Sequence, residues 1–183
     1  MLAAACNRKP LRESVERLTR KPYTEMSVAQ KPVFDEITEG WTGVTDGRIG
    51  GLFDMWMRNP GIAGLICKLG KKFRFNLSID RRYIEISIIV TGAYWKSQYE
   101  WYAHERMARD IRVLEAMIQS IKGGDRPNFD DARDAAAHDL AVELHRMHEV
   151  NGDTYASAVA TFGDQGVAKL INLCGFTPWY RCS

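Results

Sequence analysis

Three side chains able to move protons fall within one short stretch of the 183-residue sequence: Glu85, Glu100 and His104. Glu85 stands in the run YIEISIIV, residues 83–90. A carboxylate in so apolar a run either points to solvent or finds a partner inside, and burial without a partner raises its pKa. Ser97, Glu100 and His104 follow at i, i+3 and i+7, on one face of a helix. Glu100 and His104 are one turn apart, so a carboxylate meets an imidazole, the arrangement of a base with its orienting partner. Each residue alone also has a plain structural reading. Glu85 pairs with Arg81 or Arg82, and a lone histidine on an aromatic helix is more often a packed residue than a catalyst. Taken together, the three form an acid–base constellation carried on helices.

The same stretch carries a resemblance. A Glu in an apolar helix, followed nineteen residues later by a His that closes the string YEWYAH, resembles the carboxymuconolactone decarboxylase family, relatives of the alkylhydroperoxidase D proteins. In the peroxidase branch of those relatives two cysteines stand seven and four residues before the histidine. Here those positions are Ser97 and Glu100, which removes the thiol chemistry and points to the non-redox branch. The resemblance covers most of the chain and is densest from residue 80 to 110. Where the family has a segment of the form GPF…sP, this chain reads GLFDMWMRNP, with Leu52 in place of proline.

The resemblance implies an all-α, multi-helix fold of the alkylhydroperoxidase D type, assembled as homotrimers or homohexamers. It also implies a decarboxylase, or a related lyase or isomerase, that needs no cofactor and acts on a small carboxylated enol-lactone or β-keto acid. In that reading His104 gives the proton, Glu100 orients it and Glu85 is a second acid–base group. Ser97 and Tyr99 donate hydrogen bonds to an enolate oxygen, a contribution that is often the largest in such catalysis. Trp95 lines the substrate site, and either Arg74 or Arg109 receives the substrate carboxylate. The competing reading, from a different class, is a small-molecule binding or assembly protein on the same scaffold, because a fold never secures a function. Hydroperoxide reduction ranks last. Cys67 and Cys174 lie far apart and outside the motif.

The elements that must position these residues are legible in part. Residues 1–24 read as a basic, polar arm with a short helix over 11–18 and a break at Pro22; the helical domain follows over 25–183. Ser27 with Gln30 predicts a capping box, and Pro32 delays the start of that helix. Residues 40–51, with five glycines, read as a loop. Ile62, Leu65, Ile66 and Leu69 predict a helix over 61–73, ending in cations that favour the negative end of its dipole. Asp80 is the expected N-cap of the helix bearing Glu85, with a short break at Thr91 and Gly92. Its β-branched residues would also suit a strand, and the resemblance decides for helix. Helices follow from about 113, ending at Gly123 and Gly124, and over 130–150. A last pair starts at an N-cap Asp153 and turns between Gly163 and Gly166. No convincing strand is seen, which argues an all-α domain.

Composition narrows the function further. A net charge of +2 with interspersed signs argues against nucleic acid, and no apolar run is long enough to span a bilayer. The start MLAAACNRKP lacks the charged and apolar regions of a signal peptide, and four scattered cysteines have no metal or disulfide spacing. A cytoplasmic protein with reduced thiols is the expectation. His138, His145 and His148 share a helix, but without a carboxylate from a second helix they read as a solvated face, so no metal is expected.

Overall fold

The structure is a computed structural model that describes residues 21–40, 44–45, 48–49 and 52–178. Most of the expected N-terminal arm, including its helix, lies outside the described residues. The described residues form eight α-helices: α1 (Gln30–Gly40), α2 (Leu52–Trp56), α3 (Pro60–Phe75), α4 (Arg81–Tyr94), α5 (Gln98–Asp110), α6 (Glu115–Gly123), α7 (Ala132–Met147) and α8 (Gly152–Phe176). The architecture is an all-α bundle. Within the stretch read as a loop there is one minimal antiparallel hairpin, β1 (Val44–Thr45) against β2 (Arg48–Ile49).

α4 is the axis of the bundle. Every residue from Tyr83 to Gly92 is buried, and α5, α6, α7 and α8 all pack on it. A helix apolar on every side has to be central, which is why YIEISIIV is a helix despite its β-branched residues. Asp80 caps it by accepting from the Arg82 N–H at 2.8 Å. Arg82 then grips the buried Asp134 of α7 through two guanidinium nitrogens, at 2.8 and 2.6 Å.

The expected break at Thr91 and Gly92 does not occur. Thr91 returns its hydroxyl to the Ser87 carbonyl at 2.8 Å, and the helix continues to Tyr94. Gly92 is where α5 crosses, since a Cβ there would stand 3.4 Å from Glu100 Cβ. The chain turns instead at Lys96, whose φ is +52°. The Lys96 N–H reaches the Ala93 carbonyl and the Ser97 N–H reaches the Gly92 carbonyl, which is a Schellman motif. Arg112 (φ +64°) closes α5 in the same way, and Gly124 closes α6.

Ser27 and Gln30 exchange the two hydrogen bonds of a capping box, at 3.0 and 3.3 Å. Pro32 sits in the first turn of α1, where a missing N–H costs little. The N-cap of α8 is Asn151 rather than Asp153. Gly163, at φ +68° and ψ 167°, kinks α8 where the turn was expected.

α3 departs from its expected orientation. Its buried face is Ala63, Cys67, Gly70 and Arg74, while Ile62, Leu65 and Leu69 are exposed by 52, 65 and 41%. Ala63 and Cys67 pack there with Phe34, Ile37, Phe53 and Trp56, and Ile66 and Phe73 lie partly buried against the same cluster. Two core clusters occupy the other flanks of α4, one with α6 and α7 and one with α8.

Candidate active site

Three helices deliver charged side chains to one buried place. Arg74 comes from the last turn of α3, Arg81 and Glu85 from α4, and Glu100 and His104 from α5. Glu85 and His104 expose no surface, and Glu100 exposes 2%. The Glu85 Oε2 atom lies 2.6 Å from His104 Nδ1, and Glu85 Oε1 accepts from Arg81 Nε at 2.6 Å. On the other side of the ring, Arg74 Nη2 lies 2.7 Å from His104 Nε2. A guanidinium has donors only, so Nε2 must accept, and the imidazole proton is assigned to Nδ1, where Glu85 takes it. The network therefore turns Nδ1 toward Glu85 and Nε2 toward Arg74.

The two carboxylates are thus placed otherwise than their spacing suggested. Glu85, not Glu100, orients the imidazole. Glu100 Oε2 stands 3.4 Å from Nε2, and Glu100 Oε1 is buried with no hydrogen-bond partner. An ionised carboxylate facing an unprotonated nitrogen across that distance would be repulsive. Burial pushes the Glu100 carboxyl above its ordinary range, against the pull of His104 and Arg74, and the charge of Glu85 adds to the rise. For Glu85 burial also acts upward, but the hydrogen bond and charge of His104 and the neighbouring Arg81 outweigh it. Its carboxyl is held below the ordinary value. The two carboxyls are thus pushed in opposite directions, the pattern by which acid–base pairs are set up.

The remaining expected residues are placed differently from one another. Ser97 is the N-cap of α5, accepting from the Glu100 N–H at 3.5 Å, and it keeps its own O–H as a donor. Tyr99 is half-buried with its ring edge-on to Phe53 at 6.0 Å. Burial raises its pKa, so the phenol stays protonated. Trp95 ends α4, and its ring meets Tyr94 and His145. Arg109 is not brought to the cluster. It lies exposed at the far end of α5, held by Glu105 and Glu115 at 2.7 Å each, so Arg74 is the arginine at the site. Arg81 was read only as an ion-pair partner and proves to be part of the cluster; its i, i+4 spacing to Glu85 was the available signal.

The histidines of α7 are not a solvated face. His145 is buried, bonded to Thr91 Oγ1 at 2.8 Å and stacked on Tyr94, and burial lowers its pKa to about 4. His138 is buried too, with Nδ1 2.8 Å from Asp139. His148 is exposed and ends the helix at φ +60°. Among the described residues no group of three or more His, Cys, Asp or Glu side chains is arranged to hold a metal. Cys67 and Cys174 are both buried and free, with their thiols pushed by burial to about 11 and about 12. No helix among the described residues is long and apolar enough to cross a membrane.

No protein-family model matches the chain, and no curated protein matches it.

Proposed function

We propose that the protein is a carboxy-lyase of the carboxymuconolactone decarboxylase type, working without a cofactor on a small carboxylated enol-lactone or β-keto acid. The observation that carries this reading is the buried Glu85–His104 contact of 2.6 Å with Arg74 on the opposite nitrogen. Arg74 and Arg81 bring two guanidinium groups to the Glu85–His104 contact, the kind of group that receives an anionic substrate.

In this mechanism Arg74 passes from His104 to the incoming carboxylate. The carbon–carbon bond to that carboxylate breaks, carbon dioxide leaves, and the electron pair remains as an enolate. Ser97 and Tyr99 donate to the enolate oxygen. Glu100 delivers its proton to carbon. His104, protonated from solvent at the freed Nε2, returns a proton to the Glu100 carboxylate, and Glu85 stabilises the imidazolium during that step. One proton is consumed per carbon dioxide released.

The test is carbon dioxide release from a panel of carboxylated enol-lactones and β-keto acids. Turnover by the wild type, lost in Glu100→Gln, is the expected result. Absence of release from the whole panel would overturn the reading.

A homo-oligomeric trimer or hexamer and a cytoplasmic, thiol-reducing location belong to the same proposal. The first is supported by the exposed Ile62, Leu65 and Leu69 stripe, the second by two unpaired buried cysteines. One observation favours the second reading, a non-catalytic binding or assembly protein: both His104 nitrogens are engaged and the ring is fully buried. In that case the cluster only fastens α3, α4 and α5 together, and its loss lowers stability with no turnover to lose.

A further inference from the structure

A concave site lies at the other end of α4 from the acid–base cluster. A cleft of about 340 Å³ opens between the C-terminal ends of α4 and α6 and the side of α7. That volume is in the range of small-molecule sites. Val90, Ala93, Ile121 and Val142 supply apolar lining. Around them stand Lys96, Lys122, Arg126 and Arg146, against the carboxylates Asp125 and Asp139.

The charges do not cancel. Asp139 is committed to Arg126, at 2.9 and 2.8 Å, and to His138 at 2.8 Å. Lys122 lies over the Trp101 ring, with Glu105 4.0 Å away. Arg146 donates to the neutral Gly124 carbonyl at 2.6 Å, and Asp125 is the one carboxylate of the lining left to set against Lys96 and Arg146, so a net positive charge remains. Lys96 lines the cleft from the left-handed position that ends α4, a place glycine ordinarily takes. A lysine there is sterically unfavourable, yet it sets an ammonium at this cleft.

We propose that the cleft binds a small organic anion, its apolar body on the aliphatic lining and its carboxylate or phosphate head taken by Lys96 and Arg146. The site is separate from the acid–base cluster. None of Arg74, Arg81, Glu85, Glu100 and His104 lines it, and the nine helical steps from Glu85 to Tyr94 span ~14 Å.

Calorimetric titration of the full chain at low salt tests it, with phenylacetate and phenyl phosphate as probes and 2-phenylethanol as the neutral control. One saturable site is expected for at least one of the two anions, and which of them binds identifies the head group. Binding weakens by about tenfold for the neutral compound and in Lys96→Gln or Arg146→Gln, the loss of one charge-assisted contact. It is unchanged in Arg74→Gln, since Arg74 does not line the cleft. Lys96 is exposed, so its substitution does not depend on refolding a core. Absence of saturable binding by both anions, equal binding of 2-phenylethanol, or affinity insensitive to Lys96 and Arg146 overturns the proposal.

Discussion

Glu85 Oε2 and His104 Nδ1 lie 2.6 Å apart, joining α4 to α5 at a point where neither residue exposes any surface. The contact sets the proton on one ring nitrogen and turns the other toward Arg74 and Glu100. Glu85 is thereby the group whose charge the fold needs, and Glu100 the one whose charge it disfavours. The two carboxylates respond oppositely to the same substitution.

Glu85→Gln is expected to lower stability at neutral pH, because the buried carboxylate that accepts from both His104 and Arg81 loses its charge. Glu100→Gln is expected to leave stability unchanged or raise it. The pH dependence has opposite signs as well. The folded pKa of Glu85 lies below its unfolded value of about 4.3, so its contribution is present above that pH and is lost as pH falls through the folded value. Glu100 has a raised folded pKa, so its contribution is present at low pH and is lost as pH rises through the folded value. Urea unfolding of both variants from pH 3 to pH 8 checks this, and a larger loss in Glu100→Gln than in Glu85→Gln at pH 7 would refute the role assignment.

If Glu100 and His104 move the proton, His104→Ala and Glu100→Gln each lower the rate of decarboxylation by ~100- to 10,000-fold, the usual range for acid–base groups. Arg109→Gln leaves that rate alone, because Arg109 is tied to Glu105 and Glu115 on the surface. Single-turnover kinetics on folded protein decides, and a wild-type rate in His104→Ala removes it from the mechanism.

No thiol-dependent peroxide turnover is expected. The reactive species would be a thiolate, and burial pushes the Cys67 and Cys174 thiols to about 11 and about 12. A peroxidase assay on the wild type and on Cys67→Ala and Cys174→Ala checks it; activity that either substitution abolishes would refute the expectation.

Assembly is read from mass. The exposed stripe of α3 leads to the expectation of a trimer or hexamer by light scattering at micromolar concentration, and Leu65→Glu, at the most exposed position of that stripe, shifts the population toward monomer. A wild-type mass near 20.8 kDa contradicts it.

Arg82 and Asp134 bind α4 to α7, with Asp134 only 1% exposed. Arg82→Ala strands that carboxylate and is expected to cost about 3 kcal/mol in denaturant unfolding. The pair Arg82→Met with Asp134→Leu recovers part of the loss, since breaking a buried pair costs more than replacing it.

The sequence by itself determined that most of the chain is helical, where α4 starts, and that Glu100 and His104 share one helix face, while the resemblance added that α4 is a helix and that Glu85 belongs with them. Those features are local: an N-cap aspartate, helical spacing, a carboxylate one turn from an imidazole. Tertiary structure decided which carboxylate orients His104. Glu100 is nearer in sequence, yet packing of α5 on α4 at Gly92 brings Glu85 to Nδ1 and leaves Glu100 beside Nε2. It also chose Arg74 over Arg109, which differ in burial rather than in type. The apolar period of α3 identified a helix but not its inward face, because which side turns inward is set by Phe34, Phe53 and Trp56 from other elements, which pack with Ala63 and Cys67. The turns at Lys96 and Arg112 carry no glycine to mark them, so only the folded backbone shows that α4 and α5 end there. Periodicity and capping are written into neighbouring residues, whereas facing, burial and proton placement are set by contacts among residues far apart in the chain.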